Sequence, residues 1–269
     1  MRMTEARTPR RRTGKADPET DEAIYRAILR AIMEGKLKAG TKLVENPLAR
    51  IFKVSRERIR KVLHRLGAER RLEMIPNRGA RVPRPTLDDV RSVYEAHRVL
   101  EAGVLVQLIR VLDDKLLTRL DAHLAEERAA ANRADRANSV RLSGAFHLHL
   151  VDALGNADLS RFLRDLLSRS SVMVSVYEPA TQSICAVDEH GAIVDALRAR
   201  DVARAIDVSR EHFLHVEARL RLEKDASASE DLAAIFGHGS DRQSGAVRLH
   251  RKSPDRRGTR ASLQHPESR

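Results

Sequence analysis

The stretch Val54-Ser-Arg-Glu-Arg-Ile-Arg-Lys-Val-Leu-His-Arg-Leu66 admits few structures. Ile59, Val62, Leu63 and Leu66 recur at i, i+3, i+4 and i+7, the spacing of one buried helical stripe. Arg56, Arg58, Arg60, Lys61 and Arg65 cover much of the remaining surface. Ser55 stands where an N-cap is wanted, so the helix starts there with its unpaired amides facing outward. A short helix with one face on a core and a cationic face exposed suits the major groove of DNA.

The distribution of charge supports the same reading. Residues 1–90 carry a net charge of +11, residues 91–223 one of −2 and residues 224–269 one of +3. A basic segment joined to a near-neutral one describes a polyanion binder with a separate control domain. The chain has no tryptophan and 3% aromatic residues, which argues against a base-stacking single-strand binder. No run of about 18 apolar residues is present to span a membrane. The basic N-terminus lacks the apolar segment of a secretory signal. A single cysteine, Cys185, excludes an intrachain disulfide and fits the reducing cytoplasm.

Punctuation along the chain sets the organisation. Residues 1–17 read as a disordered basic arm. A helix is expected over Glu19–Glu34, ended by Gly35, and a short one over Pro47–Phe52, with proline at an early helical position. After the arginine-rich helix, Arg71–Ile75 and Arg81-Val82 flank Pro76-Asn77-Arg78-Gly79, the pattern of a β-hairpin. Three helices and a hairpin over 18–83 make a winged helix-turn-helix. Its tip offers Arg78 on a loop hinged by Gly79, able to enter a minor groove. Pro83-Arg84-Pro85 makes a stiff linker, placed at 84–86. Residues 87–223 read as an all-helical bundle with helices near 87–110, 113–132, 136–154, 157–178, 183–199 and 201–223, large enough to enclose a small-molecule pocket. Residues 224–269 are poor in large apolar side chains and are expected to be disordered.

Three histidines of this bundle, His147, His190 and His212, fall on separate helices. Facing helices are a common way to converge imidazoles on a divalent metal. The spacing alone favours surface or core-packing roles, because the three lie far apart in sequence.

The segment Ile32–Glu45, followed by Leu48-Ala49 and Val54-Ser-Arg56, resembles the DNA-binding domain of GntR-family transcriptional regulators. The helical part resembles the ligand-binding domain of the fatty-acid-regulator (FCD) subgroup through Leu100-Glu101, Phe146-His147, Gly155-Asn156, Glu189-His190 and Asp201 leading to His212. The resemblance implies a homodimer on a pseudo-palindromic double-stranded operator, controlled by a small effector, with repression relieved by effector the commoner arrangement. It implies base and phosphate contacts from Arg56 and Arg60 and a wing glycine at Gly79. Lys53, Ser55, Arg58 and Arg78 join them as candidate DNA contacts. It also implies a divalent metal (zinc, nickel or manganese) on His147, His190 and His212.

Two positions depart from the pattern. The family's usual aspartate four residues before the first histidine is Ser143 here, a far poorer ligand for a divalent ion. Its usual pocket arginine, four residues before Glu101, is His97, and Arg98 next along points about 100° around the helix. His97, Arg98 and Ser143 are thus the candidate effector-contacting positions. His97 is a candidate replacement for the missing ligand, beside a three-histidine site completed by water or effector and a metal-free pocket. Two other classes stay open: a metal-dependent hydrolase with Glu189 or Glu211 as general base, and an architectural DNA binder without sequence preference.

Overall fold

The computed structural model of the chain describes residues 18–179, 185–222 and 231–237, with side chains from Thr20 onward and, after the break at 180–184, from Val187. The expectations for residues 1–17, for the Cys185 side chain and for most of the C-terminal segment lie outside the described residues.

Helix α1 (Pro18–Met33) buries Ile24, Ile28, Ala31 and Ile32, and Gly35 at φ +68° lets the chain leave it. Strand β1 (Lys42–Leu43) follows, then α2 (Glu45–Ile51) and α3 (Arg56–Ala68). Helix α2 begins two residues before Pro47, which still sits in the first turn, where its missing amide costs no hydrogen bond. Ser55 caps α3, its hydroxyl accepting the Arg58 amide at 3.4 Å. Ile59, Val62, Leu63 and Leu66 are buried, each contributing about 2 kcal/mol.

The hairpin consists of β2 (Glu73–Ile75) and β3 (Gly79–Arg81). Strand β1 adds to it, giving a three-stranded antiparallel sheet in the order β1-β3-β2 with Ala80 opposite both Met74 and Leu43. Two residues are too few for a periodic signal, so β1 has no counterpart in the sequence pattern.

The helical part comprises α4 (Leu87–Val111), α5 (Asp114–Asn132), α6 (Arg136–Asp152), α7 (Ala157–Tyr177), α8 (Cys185–Arg198) and α9 (Val202–Arg219). Its boundaries follow the capping chemistry. Thr86 and Asp89 form a reciprocal capping box, and Asp113, Asp135, Asn156 and Asp201 each accept amides of the next helix. One apolar core joins Leu105, Leu108, Phe146, Leu163, Ile193 and Leu197, and α4 packs between α7 and α9.

The linker does not hold the two parts apart. The core of the first part includes Val140 of α6 and Val172 of α7, so α1 rests directly on the bundle. Arg84 donates to the Ala39 carbonyl at 3.2 Å, pinning the linker itself.

The expectation of disorder over 224–269 is corrected at one place. Leu232–Phe236 form a short helix, α10, capped by Asp231 and packed on α2, with the Phe236 and Phe52 rings 5.3 Å apart. Five residues carry too little periodicity to be seen among polar neighbours.

Candidate DNA-reading surface and metal centre

Electrostatic partners sort the basic residues of α3 into two sets. Arg58, Lys61 and Arg65 turn toward α1, pairing with Asp21 at 2.9 Å, Asp21 at 3.0 Å and Glu22 at 2.7 Å. Arg65 also lies over the Tyr25 ring at 3.8 Å. Arg58, expected on the outer face, is thus largely covered because its position abuts the acidic start of α1. Arg56 and Arg60 stay exposed and share one carboxylate. Glu45 at the start of α2 accepts Arg56 Nε at 3.1 Å and Arg60 Nε and Nη2 at 2.8 and 3.0 Å. The hydrogen bond from Arg60 is the largest influence holding the Glu45 carboxyl below its usual range. Glu45 was missed in the sequence reading, since a contact across 15 residues leaves no local pattern.

The other expected positions surround this pair. Lys53 is exposed at φ +54° in the turn between α2 and α3. Ser55 is exposed with its hydroxyl already engaged as the cap. Arg78 is exposed at the hairpin tip. Gly79 is not the hinge expected. It is buried at φ +96°, and a Cβ there would stand 2.3 Å from the Leu43 carbonyl oxygen. Glycine is required because β1 approaches too closely for any side chain.

In the bundle, α6, α8 and α9 bring His147, His190 and His212 together, one ring nitrogen of each within 4.8 Å of the others. All three are buried. Each Nδ1 is bonded to a carboxylate: His147 to Glu101 at 2.7 Å, His190 to Glu127 at 2.9 Å and His212 to Glu189 at 2.7 Å. That contact fixes the tautomer with the proton on Nδ1 and turns a bare Nε2 lone pair toward the shared centre. The Nε2 of His190 is buried with no hydrogen-bond partner.

Each carboxylate reaches a second, outer histidine. Glu101 meets His97 at 3.3 Å, Glu127 meets His123 at 3.2 Å and Glu189 meets His215 at 2.9 Å. Glu127 and the outer histidines His123 and His215 were not singled out from the sequence. The signal was present, because His97–Glu101 and His123–Glu127 both repeat at i, i+4 on one helix face.

The electrostatics favour a cation at the centre. Burial, with the neighbouring imidazoles adding to it, pushes His212 down to about 3, so the ring is neutral at pH 7. Burial also lowers His190. Burial opposes ionisation of Glu101 and Glu127, yet the facing histidines outweigh it and hold both carboxyls at about 2. Buried carboxylates behind the rings, with His190 and His212 held neutral by burial, favour a divalent ion between the imidazoles. The residues present therefore fit a divalent metal.

His97 and Arg98 do not join this centre. His97 is buried with both ring nitrogens engaged, Nδ1 by Glu101 and Nε2 by Ser170 at 3.2 Å. Its proposed role as a replacement ligand is corrected accordingly. Arg98 pairs with Glu217 at 2.8 Å. Ser143 lies on a cavity of about 70 Å³ beside His147 and His212, bordered also by Ser139, Ser170 and Arg219. Arg219 donates to Glu178 at 2.8 Å, so the cavity has a guanidinium from α9 where the sequence pattern sought one from α4.

The comparisons agree with this architecture. The model of bacterial regulatory proteins of the gntR family matches residues 20–82, and the FCD domain model matches residues 92–215. The HTH-type transcriptional regulator YdhC of Bacillus subtilis is 27% identical over 195 residues, covering 71% of this chain and 86% of that protein. The gluconate operon transcriptional repressor of Bacillus subtilis is 24% identical over 200 residues, covering 70% and 80%. Among solved structures, a GntR transcriptional regulator of Rhodococcus sp. RHA1 superposes with a TM-score of 0.63 at 22% identity, covering 75% of this chain and 97% of that one. Escherichia coli McbR/YncC gives 0.61 at 17% identity, covering 74% and 95%. These relatives are regulators of transcription, which sets aside the hydrolase reading. An arginine-faced winged helix joined to this helical domain is the architecture they share, and the chain belongs to the GntR family of bacterial transcriptional regulators, in the group that carries an FCD effector-binding domain.

Proposed function

We propose that the chain is a dimeric operator-binding repressor whose helical domain holds a divalent metal on His147, His190 and His212 and a small effector beside it. The observation that carries this reading is the convergence of three buried, carboxylate-backed imidazoles next to a small polar cavity. When bound, the metal would supply an open coordination position for an effector oxygen. The chain's own groups then orient the effector, the Ser139, Ser143 and Ser170 hydroxyls by hydrogen bonding and Arg219 by charge.

On the DNA side, Arg56 and Arg60 read bases, with Lys53, Ser55 and Arg78 on phosphates or in the minor groove. Glu45 presents the two arginines in a fixed relation before contact. Repression is supported by the name of one relative, a repressor of the gluconate operon. Dimerisation is supported by an apolar stripe on α4, where Val99 and Val106, seven residues apart, are 72% and 39% exposed. An effector regulates by binding the DNA-competent and incompetent arrangements unequally.

The test is a duplex selected from a random pool by the purified chain. The reading expects enrichment of a two-fold-related sequence, bound at least about 1,000-fold more tightly than random duplex at matched salt. Equal affinity for all duplexes would support the architectural reading instead.

A further inference from the structure

A second cavity, of about 580 Å³, opens between the winged helix and the bundle, on the far side of α6 and α7 from the histidines. The two cavities share Gly144, Leu167 and Ser171 as a common wall. Leu29 and Met33 of α1 and Leu148 of α6 add an apolar lining to the second one.

Its charged lining is unevenly compensated. Arg26 and Arg30 pair along α1 with Glu22 and Glu34. Neither Arg71 nor Arg141 forms a salt bridge among the described residues, although Glu69 lies near enough to Arg71 to act on its charge. Arg71 stands in the strap joining α3 to the hairpin. Its Nη1 reaches the Ser168 carbonyl at 3.4 Å, and its Nε is buried without a hydrogen-bond partner. The neighbouring Glu69 is engaged by Tyr25 and Arg65. Arg141 on α6 is held by Asn138 Oδ1 at 2.7 and 3.0 Å. The lining includes one carboxylate, Asp135, which caps α6 through the Asn138 amide.

A buried guanidinium with an unmade hydrogen bond is costly unless something completes it. We infer that this interdomain cavity is a second ligand site, for an organic anion whose carboxylate or phosphate head is held by Arg71 and Arg141 and whose apolar body lies against Leu29, Met33, Leu148 and Leu167. A planar guanidinium with its Nε free offers the fork that carboxylates and phosphates accept in pairs. Because Arg71 belongs to the DNA-binding part and Arg141 to the bundle, the ligand bridges the two parts and favours one placement of the winged helix. The binding claim stands on the cavity alone. Its effect on DNA rests on the regulatory reading above.

The test is calorimetry on the full chain with octanoate and octyl phosphate, using 1-octanol as the uncharged control. One anion per chain is expected, with octanol at least roughly tenfold weaker, as a charge-assisted pair requires. The tighter of the two anions identifies the head group. Arg71→Met should weaken the anion by at least about tenfold, and Arg71→Lys should restore only part, since a lysine keeps charge without the fork. Arg141→Gln, at an exposed position, should weaken it without affecting the fold. Equal binding of octanol, no saturable binding of either anion, or an unchanged affinity in both Arg71→Met and Arg141→Gln would overturn the inference. Binding abolished by His147→Ala but retained by Arg71→Met would also overturn it, placing the anion in the histidine cavity. Anion binding that leaves operator affinity unchanged would retain the site and overturn its bridging effect.

Discussion

Single side chains carry the two chemical claims. Arg56 and Arg60 share Glu45, so their guanidinium groups are arranged before any DNA arrives. Arg56→Ala or Arg60→Ala should cost about 1–3 kcal/mol on the selected operator and much less on random duplex, measured by fluorescence anisotropy. Equal losses on both would refute base reading. Glu45→Gln removes a charge that repels phosphate and orients both arginines. Affinity for random duplex should therefore rise while the ratio of operator to random affinity falls. At the proposed metal centre, Glu127 backs His190 through Nδ1. Glu127→Gln should lower zinc affinity by about 10–100-fold in competition with a chromophoric chelator. An unchanged affinity would mean that the carboxylate does not orient the ring.

At the scale of elements, the wing depends on one close approach. Gly79→Ala forces a Cβ against the Leu43 carbonyl at a positive φ, at a cost of about 2 kcal/mol or more. Thermal unfolding should show a loss of about 4 °C or more, and a melt matching wild type would refute the packing of β1 against β3. Leu63→Ala in α3 should cost about 2–5 kcal/mol, read from chemical denaturation. The helices of the bundle were legible because their starts are written locally, in Asp113, Asn156 and Asp201 as caps, and in the period of their apolar residues. Strand β1 and α10 were not, because two and five residues are shorter than any period. The histidine centre was only half legible. Its three members stood out as residue types, but their meeting depends on how α6, α8 and α9 pack, which the spacing does not record. The i, i+4 pairs His97–Glu101 and His123–Glu127 were readable as one-face pairs, though their direction toward the centre was not.

Across the whole molecule, α1 rests on α6 and α7, and residues 70 and 71 strap the winged helix to the bundle. Arg70 pairs with Asp165 at 2.9 Å, and Arg71 reaches the Ser168 carbonyl. Among the described residues no helix is long and apolar enough to cross a membrane. Paired copies are proposed to meet over the α4 stripe, so Val99→Asp with Val106→Asp should shift sedimentation from dimer to monomer at micromolar concentration. An unchanged dimer would move the interface elsewhere. The central claim is the proposal that three buried imidazoles, backed by Glu101, Glu127 and Glu189, form a metal centre despite Ser143. The measurement that tests it most directly is the metal content of the purified chain, by elemental analysis without added metal or chelator and again after stoichiometric zinc. The account predicts one divalent ion per chain, lost in His190→Ala. No bound metal even after zinc is supplied, or full occupancy in His190→Ala, would contradict it.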